Sequence, residues 1–257
     1  MIVGSGLIAR AFLHGGANAW GDTCFYAAGV SNSGCKDERE YLRERTRLDA
    51  AMAECSPSDR FVYFSTCSIE DPAMRDSEYV QHKIGMENRV RERIRHLILR
   101  LPQVAGNTPN PHTLLNYLHA RIARSERFHI WSGATRNIID VEDVVKIAMD
   151  LIATEGANAE TINIANPRST MMLDIVHAME RALDTRAIFD MLDKGSGAPI
   201  DIGRISASIK RCGITFSDAY LGDIIEKYYG DCCHEMDLFP ACLSNFPTVF
   251  HRPGWQL

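Results

Sequence analysis

In the stretch "EYVQHKIGME", residues 78 to 87, Tyr79 stands four positions ahead of Lys83. Residues four apart on a helix share a face, so a cation one turn along could stabilise a phenolate and make the tyrosine an acid/base group. The spacing alone fits any amphipathic helix, so the decision rests on the segments around it. "MIVGSGLIA" sets Gly4, Gly6 and Ala9 as G-x-G-x-x-A directly after a short apolar run. Small residues there permit a tight turn and a close approach to a pyrophosphate, with the free amides of the first helical turn facing the anion. A purely structural glycine turn would read the same way. "YFSTCSIED" ends a buried-strand pattern in Ser65, Thr66 and Ser68. Ligands of doubly wound sheets sit at the carboxyl ends of strands, so these hydroxyls and the Tyr79 helix could share one pocket; hydroxyls at a strand end also serve plain turns.

A dinucleotide site normally adds an acid about 20 residues beyond the glycine turn, at the end of the second strand, to hold the adenosine ribose. Asp22 is nearest by spacing, but it precedes the strand "TCFYAAG" and falls at the wrong edge of a sheet.

Positioning these groups requires alternating strands and helices, and the chain alternates through most of its length, as an α/β fold with a parallel sheet does. "MIV", "TCFYAAGV", "RFVYFST", "HLILRLPQVAG" and "TINIAN" read as strands, the fourth ended by Pro102. The helices read as "GSGLIARAFLHGG", "DEREYLRERTRLDAAMAEC" with Tyr41, Leu42, Leu48 and Met52 on its apolar stripe, the Tyr79 segment, "TLLNYLHARIA" and "VEDVVKIAMDLIA". Residues 200 to 229 read as two short helices around a turn at Gly213, and residues 231–257 as an irregular tail.

The 257 residues suffice for one large domain, or a main domain with a smaller lobe. With 28 basic against 33 acidic residues there is no basic excess to recruit nucleic acid. No apolar stretch reaches the roughly 18 residues of a membrane span, and no charged leader precedes the first apolar run, so a cytoplasmic protein without a membrane partner is expected. The eight cysteines are scattered. Cys24 and Cys67 read as small hydrophobes in or beside strands. Cys232, Cys233, His234 and Cys242 in "DCCHEMDLFPAC" lack C-x-x-C spacing, so free thiols and no metal are expected there.

Taken in order, "GSGLIA", "YAAGVS", "FSTCS", "YVQHK", "LRLPQVAG", "RNIIDVEDVV" and "INIANP" resemble the extended short-chain dehydrogenase/reductase family, in particular its nucleotide-sugar epimerases, dehydratases and reductases. The resemblance covers roughly residues 1 to 229. It implies a Rossmann-like doubly wound parallel sheet with a small C-terminal substrate-binding lobe, as one unit over 1–230. The cofactor part would lie mainly in 1–105 and 136–166, and the substrate lobe mainly in 106–135 and 167–230. It implies Tyr79 as general acid/base, Lys83 holding the nicotinamide ribose and favouring tyrosinate, and Thr66 bonding the substrate oxygen. NAD or NADP would lie against Gly4, Ser5, Gly6, Leu7, Ile8, Ala27, Ala28, Gly29, Ser65, Pro102 and Val104, besides Tyr79 and Lys83. A nucleotide sugar would meet Thr66, Cys67, Asn107 and Arg136. Arg136 suits a pyrophosphate, though it could instead pair with Asp140 or Glu142 at the surface. Neither Cys67 nor Ser68 replaces the acid pair that drives dehydration, which leaves ketoreduction or epimerisation. A homodimer through the helices at 36 to 55 and 79 to 95 is implied by resemblance only.

The chain departs from that pattern in two intervals. Between the glycine turn and "TCFYAAG" there is room for one helix, and a further βαβ step needs about 30 residues. The sheet is therefore expected to be truncated, without the strand that carries the ribose acid. The 13 residues from Thr66 to Tyr79 also make a shorter loop than usual in the family. These losses motivate a competing expectation, a non-catalytic binding or regulatory protein that retains a reductase scaffold.

Overall fold

Seven consecutive strand residues, Arg60–Thr66, are all buried, which requires cover on both faces of the sheet they occupy. A computed structural model, describing residues 1–17 and 20–230, supplies that cover. In chain order the main elements are β1 (Ile2–Val3), α1 (Leu7–His14), β2 (Thr23–Tyr26), α2 (Glu38–Glu54), β3 (Arg60–Thr66), α3 (Glu78–Arg91) and β4 (His96–Leu101). There follow β5 (Gln103–Ala105), α4 (Leu114–Ala123), β6 (Phe128–Trp131), β7 (Thr135–Arg136), β8 (Ile138–Asp140), α5 (Val141–Glu155) and β9 (Glu160–Asn163). The chain continues through β10 (Thr170–Met171), α6 (Met172–Ala182), β11 (Phe189–Leu192), α7 (Ser206–Arg211) and α8 (Tyr220–Tyr229). The cysteine-rich segment with Cys232, Cys233, His234 and Cys242 lies outside the described residues.

Five parallel strands form the sheet in the order β1-β2-β3-β4-β9. Among the described residues β1 has a neighbour on one side only, so the glycine turn leaves from an edge strand. This is the truncated doubly wound sheet that the short interval after the turn predicts.

The alternation of side chains along β3 separates two cores. Val62 and Phe64 join Phe12 of α1, Phe25 of β2 and Val144 and Ile147 of α5 on one face. Phe61 and Tyr63 join Tyr26 of β2, Leu48 of α2 and Met86 and Val90 of α3 on the other. Thus α1 crosses from β1 to β2 on one face, while α2 crosses from β2 to β3 in the same lateral direction on the opposite face. The two crossovers have opposite hands. The α2 and α3 units share one face and one direction, and a single-helix crossover is right-handed in about 98% of cases, which makes the α1 unit the left-handed one.

A third core joins α4, β6, α6 and α8 through Leu118, Ile122, Phe128, Ile130, Ile175, Met179 and Ile225. Around it stand three two-stranded pairings, β5 with β8, β6 with β11 and β7 with β10. Pro102 separates β4 from β5. No helix among the described residues is long and apolar enough to cross a membrane.

Candidate active site

Ser77 fixes the start of α3 by accepting from the Val80 amide at 3.3 Å, which sets Tyr79 on the first turn. Thr66, the last residue of β3, caps the 3-10 turn Cys67–Glu70 by accepting from the Ser68 amide at 3.1 Å. Its hydroxyl also lies beside the Tyr79 phenol, favouring the ionised ring. The Lys83 ammonium stands 5.9 Å from the Tyr79 ring centroid. Thr66, Tyr79 and Lys83 are all buried, at 7, 6 and 2% exposure, and they converge at the carboxyl end of β3.

Lys83 does not stand alone. It donates to Glu44 Oε1 at 3.0 Å and to the Tyr63 hydroxyl at 3.2 Å. Glu44, on α2 and fully buried, also accepts from the Val30 amide at 2.7 Å, the Tyr63 hydroxyl at 2.7 Å and His82 Nε2 at 3.0 Å. Burial would raise the Glu44 carboxyl, but the Lys83 charge, the His82 and Val30 N–H groups and the Tyr63 hydroxyl outweigh it and hold the group far below the carboxylate range. For Tyr79 the balance falls the other way. Burial raises its pKa, Lys83 and Thr66 pull it down, Glu44 and Cys67 push it up, and the net direction is up. Lys83 exerts the expected pull without bringing the phenol below its ordinary value. Sequence reading missed Glu44, yet a signal was present. With Tyr41 and Leu48 it keeps the i, i+3, i+7 register of the buried stripe, whereas Leu42, assigned to that stripe from sequence, is 57% exposed.

Gly29 ends the "AAG" segment against this network. A Cβ there would come within 2.6 Å of Lys83 Nζ and 2.8 Å of Glu44 Oε1. Ala27 donates its amide to the Val3 carbonyl at 2.7 Å, joining "AAG" to the glycine turn. At that turn Gly4 has φ +130°, and a Cβ on it would meet Ala27 O at 2.4 Å. Gly6 is the N-cap of α1 with no side-chain cap bond, and a Cβ on it would meet nothing within 4 Å. A tight backbone cradle beside uncapped first-turn amides fits a pyrophosphate. The turn and the segment after Pro102 also touch, because a Cβ on Gly106 would fall 2.7 Å from Leu7. The residues thus fit the phosphate and nicotinamide ends of a dinucleotide. For the adenosine ribose the described residues offer no acid on a strand beyond β1. Asp22 lies before β2, 3.7 Å from Arg95, at the opposite sheet edge.

The other predicted residues divide. Ser5 accepts through its carbonyl from Arg10, Ile8 packs into the core beneath α1, and Ala28 packs on the α2/α3 side. Val104 lies on β5, paired in register with Ile139 of β8. Ser65 neighbours Glu87, one residue from Thr66 along the strand. Cys67 is buried next to Tyr79, and burial pushes its thiol above the ordinary range, so it is no nucleophile. Arg136 does not take either surface partner. Asp140 accepts from Lys227, Tyr228 and the Glu142 amide, and Glu142 pairs with Lys227. Arg136 donates instead to the Thr135 carbonyl at 2.8 Å, and Asp71, on the loop between Thr66 and Tyr79, partly offsets the burial that lowers its pKa. Asn107 is exposed, and its carbonyl accepts from Arg10 at 3.0 Å. With Leu7 it lines an open cleft of about 670 Å³ between α1 and α5 that includes none of the Tyr79 group.

Two buried carboxylates brace α2 and α3. Besides Glu44, Glu87 accepts from Arg100 through both oxygens at 2.8 Å and from Arg91 at 2.7 Å. Burial raises Glu87, and its hydrogen bonds from Arg100 and Arg91, the Arg100 charge and the nearby Ser65 hydroxyl bring it net below the ordinary 4.5. A carboxylate depressed on folding stabilises fully above its unfolded value and loses that contribution as pH falls through its folded value. Thermal stability should therefore hold above pH 4.5 and fall steeply below it. Melts of wild type and Glu87→Gln across roughly pH 3 to 7 test this: the variant should show a flatter acid limb, and parallel limbs refute the assignment.

No protein-family model and no curated protein matches the chain. Solved structures do share its fold. A UDP-glucuronic acid 4-epimerase from Bacillus cereus, in complex with UDP-glucuronic acid and NAD, matches with TM-score 0.62 and 23% identity over 80% of this chain and 73% of its own. A UDP-N-acetylglucosamine 4-epimerase from Methanobrevibacter ruminantium, in complex with UDP-N-acetylmuramic acid, gives 0.62 and 17% over 80% and 74%. A dTDP-glucose 4,6-dehydratase from Bacillus anthracis, in complex with NAD, gives 0.61 and 12% over 88% and 96%.

Proposed function

From the fold this chain shares with nucleotide-sugar epimerases and dehydratases, we propose that it is an NAD- or NADP-dependent oxidoreductase or epimerase acting at a ring carbon of a nucleotide-linked sugar. One observation carries the reading: Thr66, Tyr79 and Lys83 converge as a buried cluster at the carboxyl end of β3, beside the glycine cradle. When bound, the nicotinamide supplies or accepts the hydride. Gly4, Gly6 and the first amides of α1 would hold its pyrophosphate, and Lys83 the nicotinamide end. Tyr79 passes a proton to or from the substrate oxygen, and Thr66 orients that oxygen by hydrogen bonding. The half-buried Arg136, without a carboxylate partner among the described ion pairs, suits the substrate's phosphates. Cys67 is a protonated thiol where elimination of water needs an acid, so ketoreduction or epimerisation is favoured over dehydration. The homodimer through α2 and α3 belongs to the same proposal.

A second reading, a binding or regulatory protein on a reductase scaffold, is favoured by the edge position of β1 and by the occupation of the Lys83 donors by Glu44 and Tyr63. Calorimetric titration with oxidised and reduced NAD and NADP, with mass spectrometry of any cofactor carried through purification, separates the two. Saturable binding of one form is expected, followed by turnover of a nucleotide sugar. Absence of binding to all four would overturn the oxidoreductase reading and put the binding protein first.

A further inference from the structure

A buried carboxylate on the apolar stripe of α2 needs a reason, since a hydrophobic residue of similar size would fill the same space without desolvation cost. Glu44 is fully buried and engages four donors from three parts of the fold: Val30 after β2, Tyr63 on β3, and His82 and Lys83 on α3. Both its oxygens lie within hydrogen-bond distance of Lys83 Nζ, at 3.0 and 3.3 Å. Tyr63 occupies a further Lys83 donor, and the missing side chain at Gly29 leaves the space that the Lys83–Glu44 pair fills. The cation beside Tyr79 is therefore half of a close, desolvated ion pair with zero net charge.

The groups around Tyr79 can be named element by element. Lys83, and His82 behind it, come from α3; Glu44 and Tyr41 come from α2. Tyr63 and Thr66 come from β3, and Cys67 from the turn after it. Glu44 is the counter-ion of Lys83 and also bonds His82. A phenol facing a lone ammonium would be drawn toward tyrosinate; one facing a neutral pair in an apolar pocket is not.

We propose that Glu44 is a positioning residue that fixes and neutralises Lys83, so that Tyr79 enters the reaction as a proton-donating phenol and the site is set for carbonyl reduction. The proposal deepens the oxidoreductase reading and rests on it for the reaction. In that reaction the carbonyl carbon would receive a hydride, one proton with two electrons, from a reduced nicotinamide that is thereby oxidised; the carbonyl oxygen would take the Tyr79 proton, and solvent would return a proton to the tyrosinate. The alcohol formed carries both added hydrogens. Oxidation of an alcohol, the reverse direction, needs Tyr79 to start without its proton, a state that the neutral pair does little to favour.

The ionisation of Tyr79 can be read without substrate or cofactor. Near-ultraviolet tyrosinate absorbance is titrated for wild type, Glu44→Gln, Lys83→Met and the double variant, each against its own Tyr79→Phe counterpart, so that the difference isolates one phenol. Glu44→Gln is expected to lower the Tyr79 midpoint by about one pH unit or more, and Lys83→Met to raise it. If Glu44→Gln does not fold, because it leaves Lys83 unpaired, the comparison of Lys83→Met with the double variant decides. Removing the carboxylate must again lower the midpoint. An unchanged midpoint in a folded comparison overturns the role of Glu44. The cofactor titration tests the oxidoreductase reading separately, so a protein that binds no dinucleotide yet shows the midpoint shift would sink that reading and not this pair.

Discussion

Exchanging Tyr79 for Phe is expected to lower turnover of a nucleotide sugar by about 10² to 10⁴-fold while leaving the fold and cofactor affinity close to wild type. The ring, at 6% exposure, packs with Val30, Tyr41 and Val80, and phenylalanine keeps that packing. Only the hydroxyl is lost, with its contact to Thr66, at a cost of about 1 kcal/mol of stability. The Tyr63 hydroxyl is committed to Glu44 and Lys83, and the Lys83 ammonium to Glu44 and Tyr63, so neither stands in for the lost phenol. Steady-state rates, with melting curves and calorimetry on the same preparations, make the comparison. Turnover within a few-fold of wild type in the folded variant would remove Tyr79 from the chemistry. Loss of turnover with unchanged binding would separate the enzyme from the scaffold reading more sharply than binding alone.

The parts of this site that were legible from sequence are those where local rules and ordered motifs agree. "RFVYFST" reads as a buried strand, Tyr79 and Lys83 share one face of the helix that follows, and the G-x-G-x-x-A turn follows an apolar run. With those three placed, Thr66, Tyr79 and Lys83 have to meet. The length of the interval after the turn also foretold the missing strand, because chain reach is a hard limit where residue identity is only a preference. What stayed hidden depends on tertiary context. Glu44 lies on the core stripe by register, but a charged residue on an amphipathic helix is ordinarily assigned to solvent, and its four donors come from elsewhere in the chain. The hand of the α1 crossover cannot be read locally at all: it follows from the face on which α1 packs, and the usual rule points the other way. By sequence Arg136 suits a pyrophosphate or a surface pairing with Asp140 or Glu142 alike; the structure sets it near Asp71 of the Thr66–Tyr79 loop, and α8 supplies Lys227 to both other acids. The net direction at Tyr79 is hidden for the same reason: the pull of Lys83 shows in the spacing, and its counter-ion does not.

Gly4→Ala and Gly6→Ala, two substitutions that look alike in the sequence motif, should part company. At Gly4 a methyl group meets backbone, Ala27 O at 2.4 Å and Ala27 C at 2.7 Å, and φ is +130°, a region that L side chains rarely adopt. Either the turn rotates or β1 separates from the end of β2, and backbone strain of this kind costs about 1 to 3 kcal/mol before the clash is counted. The Ala27 amide bond to Val3 lies in the path of that movement. Gly4→Ala should therefore lose both stability and dinucleotide binding, which by itself says little about function. Gly6 has φ −76° and open space where its Cβ would stand, so Gly6→Ala should melt within about 1 kcal/mol of wild type. Yet that open space is where a pyrophosphate must approach the first-turn amides, and a methyl group there should weaken binding of NAD or NADP by tenfold or more, about 1.4 kcal/mol. A stable Gly6→Ala with weakened binding makes the turn a cofactor cradle. A stable Gly6→Ala with the affinity of wild type makes it structural only, and any dinucleotide bound by the protein must then enter by another face.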